Sequence, residues 1–187
     1  MNRHDWYYKQ QVTQSEMDEL ETYTEDAMRD MARDLYGTGI VAGWTVQQHA
    51  PANLSVDVTP GKGWDFSGLR VATSATQVVD CSKDKNGAST TVTASGREKW
   101  LSILAYFVRV PSDPRVDGSG GTVYFRQLEG CVFRVVQGAE SAAPAVRPAK
   151  PSDGGLLLAD VKLSYGTAAI TSAMIDTSRP CHEGIAP

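Results

Sequence analysis

The feature that most constrains this chain is a change of hydrophobic period at one glycine. Met17, Leu20, Ala27, Met31 and Leu35 recur at steps of three and four or their multiples, with Tyr23 or Thr24 filling the one gap. That spacing lays them along one side of an α-helix. Thr13-Gln-Ser-Glu16 fits a capping box, in which the Thr13 hydroxyl and the Glu16 carboxylate satisfy backbone amides at the helix start. Acids crowd the first half, whereas Arg29 and Arg33 lie in the second, the order the helix dipole favours. Glu25 and Arg29 stand one helical turn apart. Gly37 can cap the C-terminus without a Cβ clash. The pattern predicts a helix over 14–36.

After Gly37 the period becomes two. Residues 40–48, 54–59, 69–73, 76–79 and 90–94 read as short strands rich in Val, Thr and Ile. Pro60-Gly61 and Ser67-Gly68 read as turns folding 54–59 against 69–73. In the first of these strands Leu54, Val56 and Val58 share one face, and Ser55, Asp57 and Thr59 share the other. Residues 99–110 form a longer apolar run, expected as a central strand. Residues 122–128 and 131–137 are expected to pair as a hairpin around Glu129-Gly130. Residues 139–151 are an Ala/Pro linker or surface excursion, and 156–163 the last good strand. A helix followed by strands, with no βαβ alternation, is an α+β layout. The expected fold is an N-terminal amphipathic helix followed by a mainly antiparallel β-sandwich-like domain. Its parts are an arm and helix (1–37), a β-domain (38–164) and a C-terminal tail (165–187).

With 18 Lys+Arg against 22 Asp+Glu, a net charge of -4, the chain has no global attraction to a phosphate backbone. Nucleic acid is therefore not an expected partner. No apolar run approaches the roughly 18 residues of a membrane span, and Met-Asn-Arg-His-Asp-Trp lacks a signal peptide's apolar core. Synthesis in the cytoplasm without export, and no membrane partner, are the expectations. Cys81, Cys131 and Cys181 are too few for a disulfide framework and form no C-x-x-C pair. They read as apolar fillers plus a surface thiol, with a crosslink between subunits as the sharper alternative.

Motifs that could carry chemistry each have a plainer reading. Gly37-Thr-Gly39-Ile-Val-Ala42 matches G-x-G-x-x-A, but here a helix leads in and a strand leads out, the reverse of a dinucleotide site. Ser82-Lys-Asp84-Lys-Asn86-Gly87 resembles part of a calcium loop without its first Asp, its twelfth-position Glu or its flanking helices, and reads as a polar turn. Gly118-Ser-Gly-Gly121 lacks the Lys-Ser/Thr of a phosphate loop and reads as a hairpin tip. His4, His49 and His182 accompany no G-x-S-x-G and no evident carboxylate pair. No enzyme activity, catalytic residue, cofactor or metal is expected.

Three segments together resemble a family of phage baseplate and tail-fibre-attachment proteins, shared with phage-like contractile injection systems. The first is Trp6-Tyr-Tyr-Lys-Gln-Gln-Val-Thr13 with the acidic helix after it. The second is Gly37-Thr-Gly-Ile-Val-Ala-Gly-Trp-Thr-Val46, then Leu54-Ser-Val-Asp-Val-Thr-Pro-Gly61 and Gly63-Trp-Asp-Phe-Ser-Gly-Leu-Arg70. The third is Leu157-Leu-Ala-Asp-Val-Lys-Leu163 with Ile170, Ile175-Asp176 and Arg179. They cover about half the chain, in the order such domains show. Trp44 departs from the pattern, standing where a smaller apolar residue is usual.

The resemblance implies a structural virion component: a tail, baseplate or tail-fibre anchor that joins other tail or baseplate subunits by protein–protein contacts. By analogy it also implies a homotrimer. The interface anchors expected on this reading are Trp6, Tyr7, Tyr8, Met17, Leu20 and Met31, since aromatic and large apolar side chains dominate interface cores. The alternative is a receptor- or carbohydrate-binding β-module of a tail fibre. Its candidate sugar platforms are Trp64 and Trp100.

Overall fold

The computed structural model describes residues 11–150, 152–179 and 182–183. Helix α1 runs Gln14–Tyr36. Its capping box is complete: Thr13 Oγ1 accepts from the Glu16 amide at 3.3 Å, and Glu16 accepts from the Thr13 amide at 2.7 Å. Gly37, at φ 65°, ends it as expected.

The strands are β1 (Thr38–Gly43), β2 (Val46–Gln48), β3 (Ser55–Val58), β4 (Gly61–Trp64), β5 (Arg70–Thr73), β6 (Gln77–Asp80), β7 (Arg97–Val116), β8 (Thr122–Gln137), β9 (Ser141–Ala142), β10 (Leu156–Ser164), β11 (Ile175–Asp176) and β12 (His182–Glu183). They pair antiparallel into three sheets, ordered β12-β1-β4-β5, β11-β10-β7-β8 and β2-β3-β6, with β9 also on β7.

This overturns the β-sandwich-like expectation, since the strands form three sheets rather than two facing ones; what stands is an α+β fold of mainly antiparallel strands. The misreading begins at Pro60-Gly61. Residues Gly61–Trp64 are themselves a strand, and it is β4, not β3, that pairs with β5. β3 instead lies between β2 and β6. The glycines of β4 serve close approach. A Cβ on Gly61 would meet the Trp44 ring at 2.6 Å, and one on Gly63 would meet the Gly39 carbonyl at 2.5 Å.

A second correction concerns β8. The segments around Glu129-Gly130 form no hairpin, because β8 runs unbroken through them and pairs with β7 from Leu101↔Gln137 to Val116↔Thr122. The hairpin turn lies at Asp117–Gly121, where the Asp117 carboxylate accepts from the Ser119 and Gly121 amides at 2.9 and 2.8 Å. Residues 90–94 are no strand. The amides of Thr93 and Ala94 donate to the Glu140 carboxylate instead of to a ladder.

The core gathers where the sheets meet. Val56 and Val58 of β3, Val71 of β5, Leu101 and Ile103 of β7, Leu156 and Leu157 of β10, and Ile170 are fully buried in one cluster with Trp44. Each such side chain contributes about 1.5–3 kcal/mol by leaving water. The expected faces of β3 hold, with both valines inside and Ser55 and Asp57 half-buried. β10 pairs along β7 with a register shift between Leu157 and Ala159, meets β11 at Asp160 and Val161, and is buried from Leu156 to Val161.

Candidate functional site

The helix touches the β-domain through a narrow contact. Ala32 is its one buried residue among those described. Arg29 packs over Gly68 in the β4–β5 turn, whose φ of 73° and lack of a Cβ admit the helix backbone. Glu25 accepts from Arg29 at 2.9 Å and from Arg109 of β7, and Arg109 also donates to Glu129 of β8 at 2.6 Å. Arg109 holds the Glu25 carboxyl below its ordinary range, outweighing partial burial.

At about 100° per residue, the stripe of Met17, Leu20, Met31 and Leu35 lies roughly a third of a turn around the helix from Glu25, Arg29 and Ala32. The stripe consequently faces away from its own domain: Met17 is 47%, Leu20 37% and Met31 55% exposed. The other three expected anchors, Trp6, Tyr7 and Tyr8, lie outside the described residues.

A second surface escaped the sequence reading. β10 accompanies β7 only as far as Ala105, so beyond it β7 and β8 continue as a two-stranded ribbon to the turn at Asp117–Gly121. Such ribbons are marginal in water by themselves. This one exposes Val110, Val116, Tyr124, Phe125 and Leu128. Arg115 lies over the Phe125 ring at 3.8 Å, which covers one of them. The alternation of the two strands carried the signal, hidden by the turn assigned to Glu129-Gly130.

A groove of 650 Å³ separates the open edges of β6 and β8, lined by Val79, Phe133 and Val135 with Lys83, Asp84 and Arg134. The Lys85 amide donates to the Val135 carbonyl at 2.8 Å across one end of it. Asp84, the central acid of the calcium-like motif, spends its carboxylate on the Asn86 and Ala88 amides, both at 2.9 Å, and on Gln137 at 2.8 Å. It is a turn, as the plainer reading has it.

Trp64 and Trp100 are both half-buried. Trp100 has its ring occupied by Arg147, whose guanidinium carbon stands 4.3 Å from the centroid, so that face is not open to a sugar. His49 lies 2.7 Å from Asp57; His4 and the side chain of His182 are outside the described residues. Among the described residues no His/Cys/Asp/Glu group is arranged to hold a metal ion, and no helix is long and apolar enough to cross a membrane.

No protein-family model and no curated protein matches the chain. Among solved structures it is similar to one titled "Crystal structure of TssK", with a TM-score of 0.48 and 13% identity. The match covers 96% of this chain and 42% of that one, so this chain spans less than half of its length. A likeness at that level assigns no role to any residue here.

Proposed function

We propose that this protein is a structural subunit of a phage tail or phage-like contractile machine, acting in the baseplate or at a tail-fibre anchor. It works by protein–protein contact and carries out no catalysis. The observation that carries the reading is the outward apolar stripe of α1. A helix whose large apolar side chains point away from its own domain leaves them in water until a partner covers them. The three resembling segments supply the tail context. Two exposed surfaces, the stripe and the ribbon, suit a part that joins neighbours on more than one side.

The reading also places the protein in the assembled virion after synthesis in the host cytoplasm. The test is an affinity-tagged chain expressed in a producing strain, followed by purification of intact particles. The tag is expected in the particle fraction, at the tail end by immunogold microscopy. Particles of normal morphology and infectivity without the tagged chain would sink the proposal.

A further inference from the structure

The ribbon has two unlike faces. Paired residues of antiparallel strands share a face, so Val110↔Leu128, Ser112↔Arg126, Pro114↔Tyr124 and Val116↔Thr122 all lie on one side. That side is apolar and exposed, and Arg126 is its single charged residue. Arg126 forms a long ion pair with Asp113, at 3.9 Å, and its side chain stays 68% exposed. Arg109↔Glu129 belongs to the opposite side, and there Arg109 grips Glu25 of the chain's own helix. The chain's own α1 is thus held to the other face of the ribbon.

We propose that the apolar ribbon face receives the α1 stripe of a second copy of this chain. The inference deepens the assembly reading above and rests on it. Charge selects the occupant. Helix α1 carries eight acids against two arginines, a net of -6. Packing two such helices together sets like charge against like, and packing two ribbon faces sets Arg126 against Arg126. Helix on ribbon opposes no like charges on the joined faces and brings the acids of α1 to Arg126. Lengths agree as well: 23 helical residues span about 34 Å, enough to cover the roughly 20 Å from Val110 to Val116. Because the joined surfaces differ, the contact closes as a reciprocal two-fold dimer, closes as a larger ring, or continues as a chain.

The experiment is light scattering behind a sizing column on the full chain and two variants. One variant, Leu20→Glu with Met31→Glu, disables the helix; the other, Tyr124→Glu with Arg126→Glu, disables the ribbon. All four positions are exposed, and an unchanged far-ultraviolet circular dichroism spectrum with a cooperative melt establishes that both variants fold. The wild-type protein is expected above the monomer mass, and each variant alone at the monomer mass. An equimolar mixture retains one intact helix-on-ribbon contact, and is expected at twice the monomer mass. A mixture that stays monomeric overturns the proposal. So does an Arg126→Ala variant that assembles more strongly than wild type, which would point to ribbon-on-ribbon pairing. A wild-type chain monomeric at every concentration overturns it too, while its presence in purified particles would leave the tail reading standing.

Discussion

The backbone of Arg29 occupies the space where a Cβ on Gly68 would stand, with its Cα 3.0 Å from that position. The relationship seats helix α1 on the β4–β5 turn, beside the Glu25–Arg109 ion pair that ties it to β7. Gly68→Ala therefore meets two obstacles. Its φ of 73° costs an alanine about 1–2 kcal/mol, and the methyl displaces the helix. Hydrogen exchange is expected to show α1 amides losing protection while β7 and β10 keep theirs. Unchanged protection in α1 would mean that the helix is held by contacts other than this one.

Asp160 on β10 is fully buried and receives Arg179 through two bonds, at 2.7 and 2.9 Å, with Ser102 at 2.7 Å and Arg147 at 3.5 Å. The cluster ties Arg179 and the stretch around Arg147 to the central sheet. Arg179→Met leaves a buried carboxylate short of its main partner, and breaking a buried pair from one side costs about 3–5 kcal/mol. Urea unfolding should show that loss at an unchanged slope. A loss below about 1 kcal/mol would mean that Arg147 suffices alone.

Much of this was legible in the sequence. The helix, its capping box and its terminating glycine follow from local chemistry and stand where the period places them. The valines of β3 follow from alternation. The sheet pairing was hidden because it depends on non-local contact. Gly61 and Gly63 look like turn residues until Trp44 and Gly39 are brought against them. Gly130 looks like a hairpin centre, yet it lies opposite Val108, where a Cβ would meet only an ordinary contact at 3.6 Å. The helix stripe was visible as a stripe. The face that docks on the domain, Glu25, Arg29 and Ala32, was hidden because a salt bridge and one alanine leave no apolar period.

Acid should loosen the helix. Arg109 lowers the Glu25 carboxyl in the folded state below its ordinary 4.5. Its contribution is therefore fully present above pH 4.5 and is lost as pH falls through the lower, folded value. Asp65, in the turn beneath the helix, runs the other way, because burial raises its carboxyl and its protonation relieves the fold. Protection of α1 amides should fall below pH 4.5, and Glu25→Gln should show reduced protection at neutral pH with that acid step gone. An acid step that survives in Glu25→Gln would assign it to another group.

Thiol chemistry separates the cysteines that fill the core from those that could bridge subunits. Burial pushes the Cys81 thiol up to about 12, helped by Asp80, and pushes Cys131 up to about 12 as well. At pH 8 such a thiol is thiolate in about one molecule in ten thousand, and the thiolate is the reactive form. Maleimide at pH 8 should leave Cys81 and Cys131 unlabelled in the native protein over a time that labels both completely in denaturant, as read by peptide mass mapping. Cys81 is the stricter case, since its side chain is fully buried. Rapid labelling of Cys81 without denaturant would mean that the chain after β6 opens in solution, whereas labelling of Cys131 alone would place the motion in the groove between β6 and β8, which Cys131 helps to line.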